Sequence, residues 1–337
     1  MKVFYLGVDV SKKKLDLCLR SNGKDILHDI ISNDTSSIIS WLKMKFEEVL
    51  FSEDSLIICA EHTGQYTYPL ICAAKDMSIY LCLEDAAKIK YCHGIPRGKN
   101  DKIDAHRIAM YAERYNDCLQ PYKASELTIQ KLKQLSTERS LLVSDRAKYQ
   151  SQSKDQMEYM NQAIYLAKCS RIETVINALT DCIKQIDKEI KELINQAPII
   201  AHQMELLMSV DGIGERVALK MIMETDAFTS FTDSRKFCCH AGVAPFVYLS
   251  GSSQRSKNRV SNRADKSIKH LLHMAALSVS QVKDSPLKAY YDRKVGEGKN
   301  KMSVLNAVRA KLVTIMFAVI RTDTLFSRNI KIRLHNP

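Results

Sequence analysis

Asp9 stands inside an otherwise apolar run, Leu6-Gly7-Val8-Asp9-Val10, and its placement demands a chemical reason. A carboxylate buried without a partner is costly to desolvate, so such a position calls for a counter-charge, and a metal ion is a common one. Glu61 closes a second apolar run, Leu56 to Ala60. Asp101 and Asp104 lie three residues apart in Lys99-Asn100-Asp101-Lys102-Ile103-Asp104-Ala105, a spacing that puts both on one face of a helix start. Taken singly, Asp101 also reads as a helix cap and Glu61 as an exposed strand end; Asp9 fits neither description. Four carboxylates with no obligatory His or Cys form an all-oxygen donor set of the kind Mg2+ takes, with Mn2+ as a substitute. Two such ions about 4 Å apart would activate the attacking oxygen and stabilise the leaving oxygen of a phosphodiester. His62 and His106 flank the acids and read as supporting or surface residues rather than ligands.

A second constellation lies far downstream. Between Ser250 and Lys269 the chain carries Arg255, Lys257, Arg259, Arg263, Lys266 and Lys269 against the single acid Asp265, a pattern suited to a polyanion. Upstream of it, Gly212-Ile213-Gly214 joins two apolar-periodic helices within Leu206 to Thr225. This looks like a helix-hairpin-helix, whose turn at Gly212 and Gly214 brings backbone N–H groups to a nucleic-acid phosphate. Two tightly packed helices need a glycine turn in any case.

The net charge of +12 is distributed in the same sense. Residues 1–120 hold 16 basic against 17 acidic side chains, residues 121–200 hold 12 against 10, and residues 201–337 hold 22 against 11. The excess is almost wholly C-terminal, where a nucleic-acid partner would release counterions.

The elements that would position these residues are legible in outline. Residues 2–10, 15–20 and 26–31 are β-rich runs separated by polar turns and form an antiparallel meander. A helix over Thr35 to Leu50, a strand over Ser55 to Ala60, a helix over Gln65 to Lys75, a strand over Ile79 to Leu83 and helices from Ala86 follow, the last resuming at Asp101. Three consecutive strands and then β/α alternation is the order of an RNase H-like α/β sheet. Residues 126–196 lack glycine and carry Ile172, Ile176, Leu179, Ile183, Ile186, Ile190 and Leu193 at alternating spacings of four and three, a coiled-coil seam. Leu135, Leu142 and Tyr149 keep a matching spacing, and the polar tract Ser151 to Asn161 permits the chain to reverse, so an antiparallel hairpin and a dimerising arm are both consistent with the pattern. The expected division is therefore residues 1–122, a nuclease-like domain; 123–197, a helical arm; and 198–337, a mainly α-helical basic domain.

At 337 residues, two or three domains are the ordinary expectation. The ten cysteines are scattered through apolar stretches with no C-x-x-C pair and read as reduced, buried thiols rather than metal ligands. With no charged-then-apolar leader and no uninterrupted apolar run of about 18 residues, the expectation is a cytoplasmic protein without a membrane partner.

These residues resemble a known family. Gly7-Val8-Asp9-Val10-Ser11, Glu61-His62-Thr63-Gly64 and Lys99-Asn100-Asp101-Lys102-Ile103-Asp104-Ala105 are similar to the signature blocks of the DEDD transposases, the insertion-sequence family numbered one hundred and ten. Ser209-Val210-Asp211-Gly212-Ile213-Gly214, His240-Ala241-Gly242-Val243-Ala244-Pro245, Ser250-Gly251 and Asn262-Arg263-Ala264-Asp265 match in the third region, so the resemblance runs from about residue 3 to residue 320. It implies a RuvC-like domain whose quartet is Asp9, Glu61, Asp101 and Asp104, and a C-terminal domain with a nucleophilic serine, best matched by Ser250. The run Leu249-Ser250-Gly251-Ser252-Ser253 offers several hydroxyls, and Ser252 stays a second candidate. A serine hydroxyl needs a base or a metal to become an effective nucleophile, and a composite site joining the carboxylate-bound metal to Ser250 would supply it. The resemblance further implies double-stranded donor and target DNA, a guide RNA from the element, and a homodimer or homotetramer.

Three other readings fit parts of the pattern. A RuvC-like Holliday-junction nuclease would use water in place of the serine. A sugar-kinase or actin-like ATPase also begins with an apolar-Gly-x-Asp strand, but no later Gly-rich phosphate loop follows here. A passive nucleic-acid-binding module would keep the acids for structure alone.

Overall fold

The computed structural model describes residues 3–49, 55–62, 64–92, 100–123, 125–152, 157–246, 249–250, 254–255, 259–260 and 264–328. The chain forms two compact units, Met1–Ala124 and Ser125–Pro337.

The first unit is built on a five-stranded sheet. The strands β1 (Phe4–Val10), β2 (Lys14–Ser21) and β3 (Lys24–Ser32) form the expected antiparallel meander, and β4 (Leu56–Glu61) and β5 (Tyr80–Glu84) add on the other side of β1. The order is β3-β2-β1-β4-β5, with β4 parallel to β1 and β5 parallel to β4, an RNase H-like arrangement. Alternation along the strands divides the sheet into two faces. Leu6, Val8, Val10, Leu15, Leu17 and Leu19 point into one core with Ile38, Trp41 and Leu42 of α1 (Thr35–Val49) and Leu70, Ala73 and Ala74 of α2 (Tyr68–Asp76). The sequence places this second helix from Gln65, but residues Gly64–Thr67 form a 3₁₀ turn and Pro69 fits the first turn of α2, where its missing N–H costs nothing. A short helix, α3 (Ala86–Tyr91), follows β5.

The opposite face is covered by α4 (Asp101–Arg114). Gly7 makes that contact possible: a Cβ built there would lie 2.3 Å from the carbonyl oxygen of Ala105 and 2.3 Å from the backbone nitrogen of Ala109, so α4 rests directly on the backbone of β1. Ala105 and Ala109 pack against Cys18 on the neighbouring strand, and only small side chains would fit so close an approach.

The second unit begins with two long helices, α5 (Leu127–Gln152) and α6 (Gln162–Gln196). They run antiparallel, since Arg139 binds Asp187 at 2.7 Å while Arg146 meets Thr180. Of the seam residues, Ile172, Ile183, Ile186 and Ile190 are buried. The base of the pair, at Ile129, Leu132, Ile186 and Ile190, shares its core with the helices that follow: α7 (Pro198–Met208), α8 (Glu215–Glu224), α9 (Ser234–His240), α10 (Lys266–Val279), α11 (Pro286–Gly296) and α12 (Lys301–Thr322). By length and composition α12 is apolar enough to cross a membrane, a feature the sequence reading overlooked because Arg309 and Lys311 interrupt it. In the fold, Val308, Leu312, Val313 and Met316 are buried in this core, and the buried Arg309 meets Nδ1 of His273 at 2.7 Å. The expectation of uniformly buried thiols also needs correcting: all ten cysteines are free, but Cys118 and Cys182 are exposed.

Candidate active site

The β1–β2 hairpin sets the first half of the site. Antiparallel pairing places Asp16 directly across from Asp9, and parallel pairing of Val8 with Ala60 brings the ends of β1 and β4, with Asp9 and Glu61, side by side. Helix α4 adds its N-terminus. Asn100 caps it by accepting from the Lys102 backbone N–H, which puts Asp101 within the first turn beside Asp104. Carboxylates are favourable there because the unsatisfied N–H groups carry partial positive charge.

Asp9, Asp16 and Asp101 each present an oxygen such that all three lie within 4.8 Å of one another. Asp104 and Glu61 stand outside this group but near enough for their charges to act on Asp9. Burial, followed by the like charges of Asp101, Asp104, Glu61 and Asp16, pushes the Asp9 carboxyl up from 3.8 to about 6. Lys14 supplies the positive charge: its ammonium lies 2.8 Å from Asp101 and 2.9 Å from Asp16, and these bonds raise its own pKa. Asp104 is bound by Arg107 at 2.9 Å. An ammonium held between carboxylates, next to a carboxyl that resists ionisation, is what an all-oxygen cation site looks like when a side chain provides the cation. The donor set therefore fits a hard divalent ion.

Sequence reasoning missed Asp16 and Lys14. The signal was present, since Asp16 sits in Leu15-Asp16-Leu17-Cys18-Leu19 much as Asp9 sits in its own run. Period-two alternation marks Asp16 as facing away from the leucines, which reads as solvent. In the structure α4 covers that face, and Asp16 is only 4 % exposed.

Further along the same seam, His106 does not approach the carboxylate group but binds Asp25 at 2.7 Å. The backbone N–H of His62 donates to the carbonyl of Glu84.

In the second unit, the described residues of the basic segment form two short strand pairs. Four short strands, β6 (Pro245–Phe246), β7 (Leu249–Ser250), β8 (Gln254–Arg255) and β9 (Arg259–Val260), pair as β6 with β9 and β7 with β8, both antiparallel. Ser250 pairs with Gln254 and Leu249 with Arg255. Arg255 and Arg259 lie on the returning strands. Ser252, Lys257 and Arg263 lie outside the described residues. Lys266 opens α10, which Asp265 caps by accepting from the Ser267 and Ile268 N–H groups. Near the start of α10, Glu224 accepts from Lys220 at 2.6 Å and faces His240 at 3.2 Å, and the Asp265 N–H donates to the His240 carbonyl.

Gly212 and Gly214 occupy the turn between α7 and α8, and their environments differ. Gly212 has φ +81° and a hypothetical Cβ there would lie 2.8 Å from Cβ of Val279, so this glycine serves the packing of the turn on α10. Gly214, the residue preceding α8, has open space where a Cβ would go, leaving that helix start accessible.

Known proteins resemble the chain in both units. A DEDD transposase model of the IS110 group matches residues 6–161, and a model described as transposase IS116/IS110/IS902 family matches residues 204–292. The pilin gene-inverting proteins of Moraxella bovis and Moraxella lacunata are each 27 % identical over 344 aligned positions, spanning 98 % of this chain and 99 % of their own length. An insertion element IS110 protein of 43.6 kDa from Streptomyces coelicolor is 23 % identical over 168 positions, 49 % of this chain and 41 % of its own. Among solved structures, RuvC from T. thermophilus in complex with a Holliday junction substrate aligns with 36 % of this chain and 99 % of its own, at 12 % identity and a TM-score of 0.27.

Proposed function

The chain belongs to the DEDD transposases of the IS110 family, enzymes of DNA recombination, and from that premise we propose that it moves an insertion sequence by cutting and rejoining double-stranded DNA at a carboxylate-bound metal and a serine. The observation that carries this reading is the convergence of Asp9, Asp16 and Asp101 around one point, with Asp104 and Glu61 beside it. In the proposal Asp9, Glu61, Asp101 and Asp104, with Asp16 beside them, would hold Mg2+, for which Mn2+ would substitute, and a pair of such ions would supply polarisation of the scissile phosphate and activation of an attacking hydroxyl.

Ser250 is the proposed nucleophile, and its place on a strand paired with the one that carries Arg255 supports that role. Its Oγ attacks a backbone phosphorus and gives up its proton to a base, while one P–O ester bond breaks and a sugar oxygen leaves. In the second step a sugar hydroxyl of the recombining strand attacks the same phosphorus and releases Oγ. The number of phosphodiester bonds is conserved, so no external energy source is required. Arg255, Lys257, Arg259, Arg263 and Lys266 would neutralise backbone phosphates, and the open N-terminus of α8 at Gly214 offers one further phosphate contact.

A guide RNA from the element would select donor and target, sharing the basic C-terminal region with the DNA. Assembly as a dimer or tetramer would use the helical arm, where Leu141, Ile164 and Leu166 expose most of their surface. Exposed apolar residues on an extended helical pair favour a partner helix over solvent.

The test is a suicide substrate that traps the first step. With Mg2+ and a nicked element end, the expected product is a DNA strand covalently attached through Ser250, absent from the Ser250→Ala, Asp9→Asn and Glu61→Gln proteins. Free 5′-phosphate ends with no adduct would replace the serine mechanism by water-driven junction cleavage, and attachment at Ser252 would reassign the nucleophile.

A further inference from the structure

Beside the carboxylate group, on the same face of the sheet, a separate set of side chains gathers nitrogen, sulfur and oxygen donors. Cys18 on β2 pairs across the strands with His28 on β3, and Cys18 Sγ lies 3.8 Å from Nε2 of His28. Asp25, at the start of β3, points Oδ2 at both histidines, 3.3 Å from His28 Nε2 and 2.7 Å from Nδ1 of His106 on α4. Donor atoms of Cys18, Asp25 and His106 all lie within 4.8 Å of one another.

We propose that Cys18, His28, Asp25 and His106 form a binding site for a borderline-soft divalent cation, Zn2+ in chemical class, distinct from the all-oxygen cluster of Asp9, Asp16 and Asp101. Two of the donor separations lie close to the edges of a tetrahedral site. With Zn–S near 2.3 Å and Zn–N or Zn–O near 2.0–2.1 Å, the tetrahedral edges are about 3.6 Å for S···N and about 3.3 Å for N···O. The Cys18–His28 and His28–Asp25 distances match these edges; the His106–Asp25 contact is a hydrogen bond that widens when a cation replaces its proton. Arg20 holds the remaining oxygen of Asp25 at 2.5 Å, fixing the carboxylate so that Oδ2 faces inward. The histidine side chains are a quarter to a third exposed, which gives an ion a route to the fully buried thiol.

The proton balance is explicit. Binding of Zn2+ releases the thiol proton, the neutral His106 ring offers Nδ1 with its hydrogen on Nε2, and the resulting thiolate together with the Asp25 carboxylate neutralises the ion. Such an ion would tie the β2–β3 hairpin to α4, the helix that carries Asp101 and Asp104, so it would stiffen the platform of the recombination site without touching substrate. The proposal stands on its own ligands and does not depend on the assignment of the carboxylate cluster.

Cobalt separates the two sites. The full-length protein, stripped with chelator and returned to excess Mg2+ to fill the oxygen cluster, is titrated with Co2+. A thiolate-to-cobalt charge-transfer band that saturates at one ion per chain and is displaced by Zn2+ is expected, together with a rise in melting temperature. The band is lost in Cys18→Ser and weakened in His28→Gln and His106→Gln, while Asp9→Asn retains it in full. Absence of the band in the wild-type protein, or its survival in Cys18→Ser, overturns the site and leaves a plain hydrogen-bonded network. If Cys18→Ser does not fold, an unchanged titration in both histidine variants overturns it equally.

Discussion

The backbone of Ala109 occupies the space that a side chain on Gly7 would need: a Cβ there would approach the Ala109 nitrogen to 2.3 Å. This contact sets the height of α4 above the sheet, and Asp101 and Asp104 ride on that helix. Gly7→Ala therefore forces backbone apart from backbone, which no rotamer change relieves. The expected loss is ~3 kcal/mol of stability, read by urea unfolding, with weakened Mn2+ binding by paramagnetic resonance. A variant as stable as the parent would refute the packing.

Asp9 has the sign of a strained ionisable group. Its folded pKa of about 6 exceeds the ordinary 3.8, so between those values the native protein binds a proton more tightly than the unfolded chain. Stability associated with Asp9 is therefore present at low pH and declines as pH rises through about 6. Without divalent ions near pH 7, Asp9→Asn is expected to be the more stable protein by on the order of 1 kcal/mol once solvent screening is counted, and the gap should close at about pH 4. Adding Mn2+ should invert the order by raising the melting temperature of the parent alone. Calorimetry across pH, with and without the ion, reads both effects.

Lys14 and Asp16 make opposite predictions. An ammonium bound to Asp16 and Asp101 competes with an incoming cation, so Lys14→Ala should tighten Mn2+ binding by about tenfold, equivalent to ~1.4 kcal/mol. Asp16→Asn replaces a charged oxygen by a neutral amide and should weaken binding by a similar or larger factor. Unchanged affinity in both variants, measured by equilibrium titration, would remove the pair from the metal site.

The two glycines of the α7–α8 turn should separate packing from binding. Gly212→Ala strains a left-handed backbone and meets Val279, with an expected cost of ~2 kcal/mol in thermal unfolding. Gly214→Ala meets open space and should cost only about 0.5 kcal/mol. A selective loss of DNA affinity in Gly214→Ala, by filter binding, would place a phosphate at the start of α8.

The basic segment predicts a salt signature. If Arg255 and Arg259 each neutralise one phosphate, the slope of log affinity against log salt should fall by roughly 0.9 for each arginine replaced by alanine. The loss should be alike for unrelated DNA sequences.

Much of this molecule is written locally. Alternation identified the meander, the seam of isoleucines identified the long helix α6, and Asp9 stood out because a charge in an apolar strand violates local chemistry. Spacing put Asp101 and Asp104 on one face, and the order of the signature blocks pointed to the family. These are properties of short segments, which the chain specifies one neighbour at a time.

What only the tertiary structure decided is which face of the sheet is covered and by what. Alternation assigns Asp16, Cys18 and Arg20 to the face opposite the leucines but cannot say that α4, some eighty residues later, closes over them. That closure depends on Gly7 and two alanines admitting a helix against bare backbone. It turns Asp16 from a surface acid into a buried one and brings His106 to Asp25, because desolvation and donor geometry are set by what packs nearby, not by position along the chain.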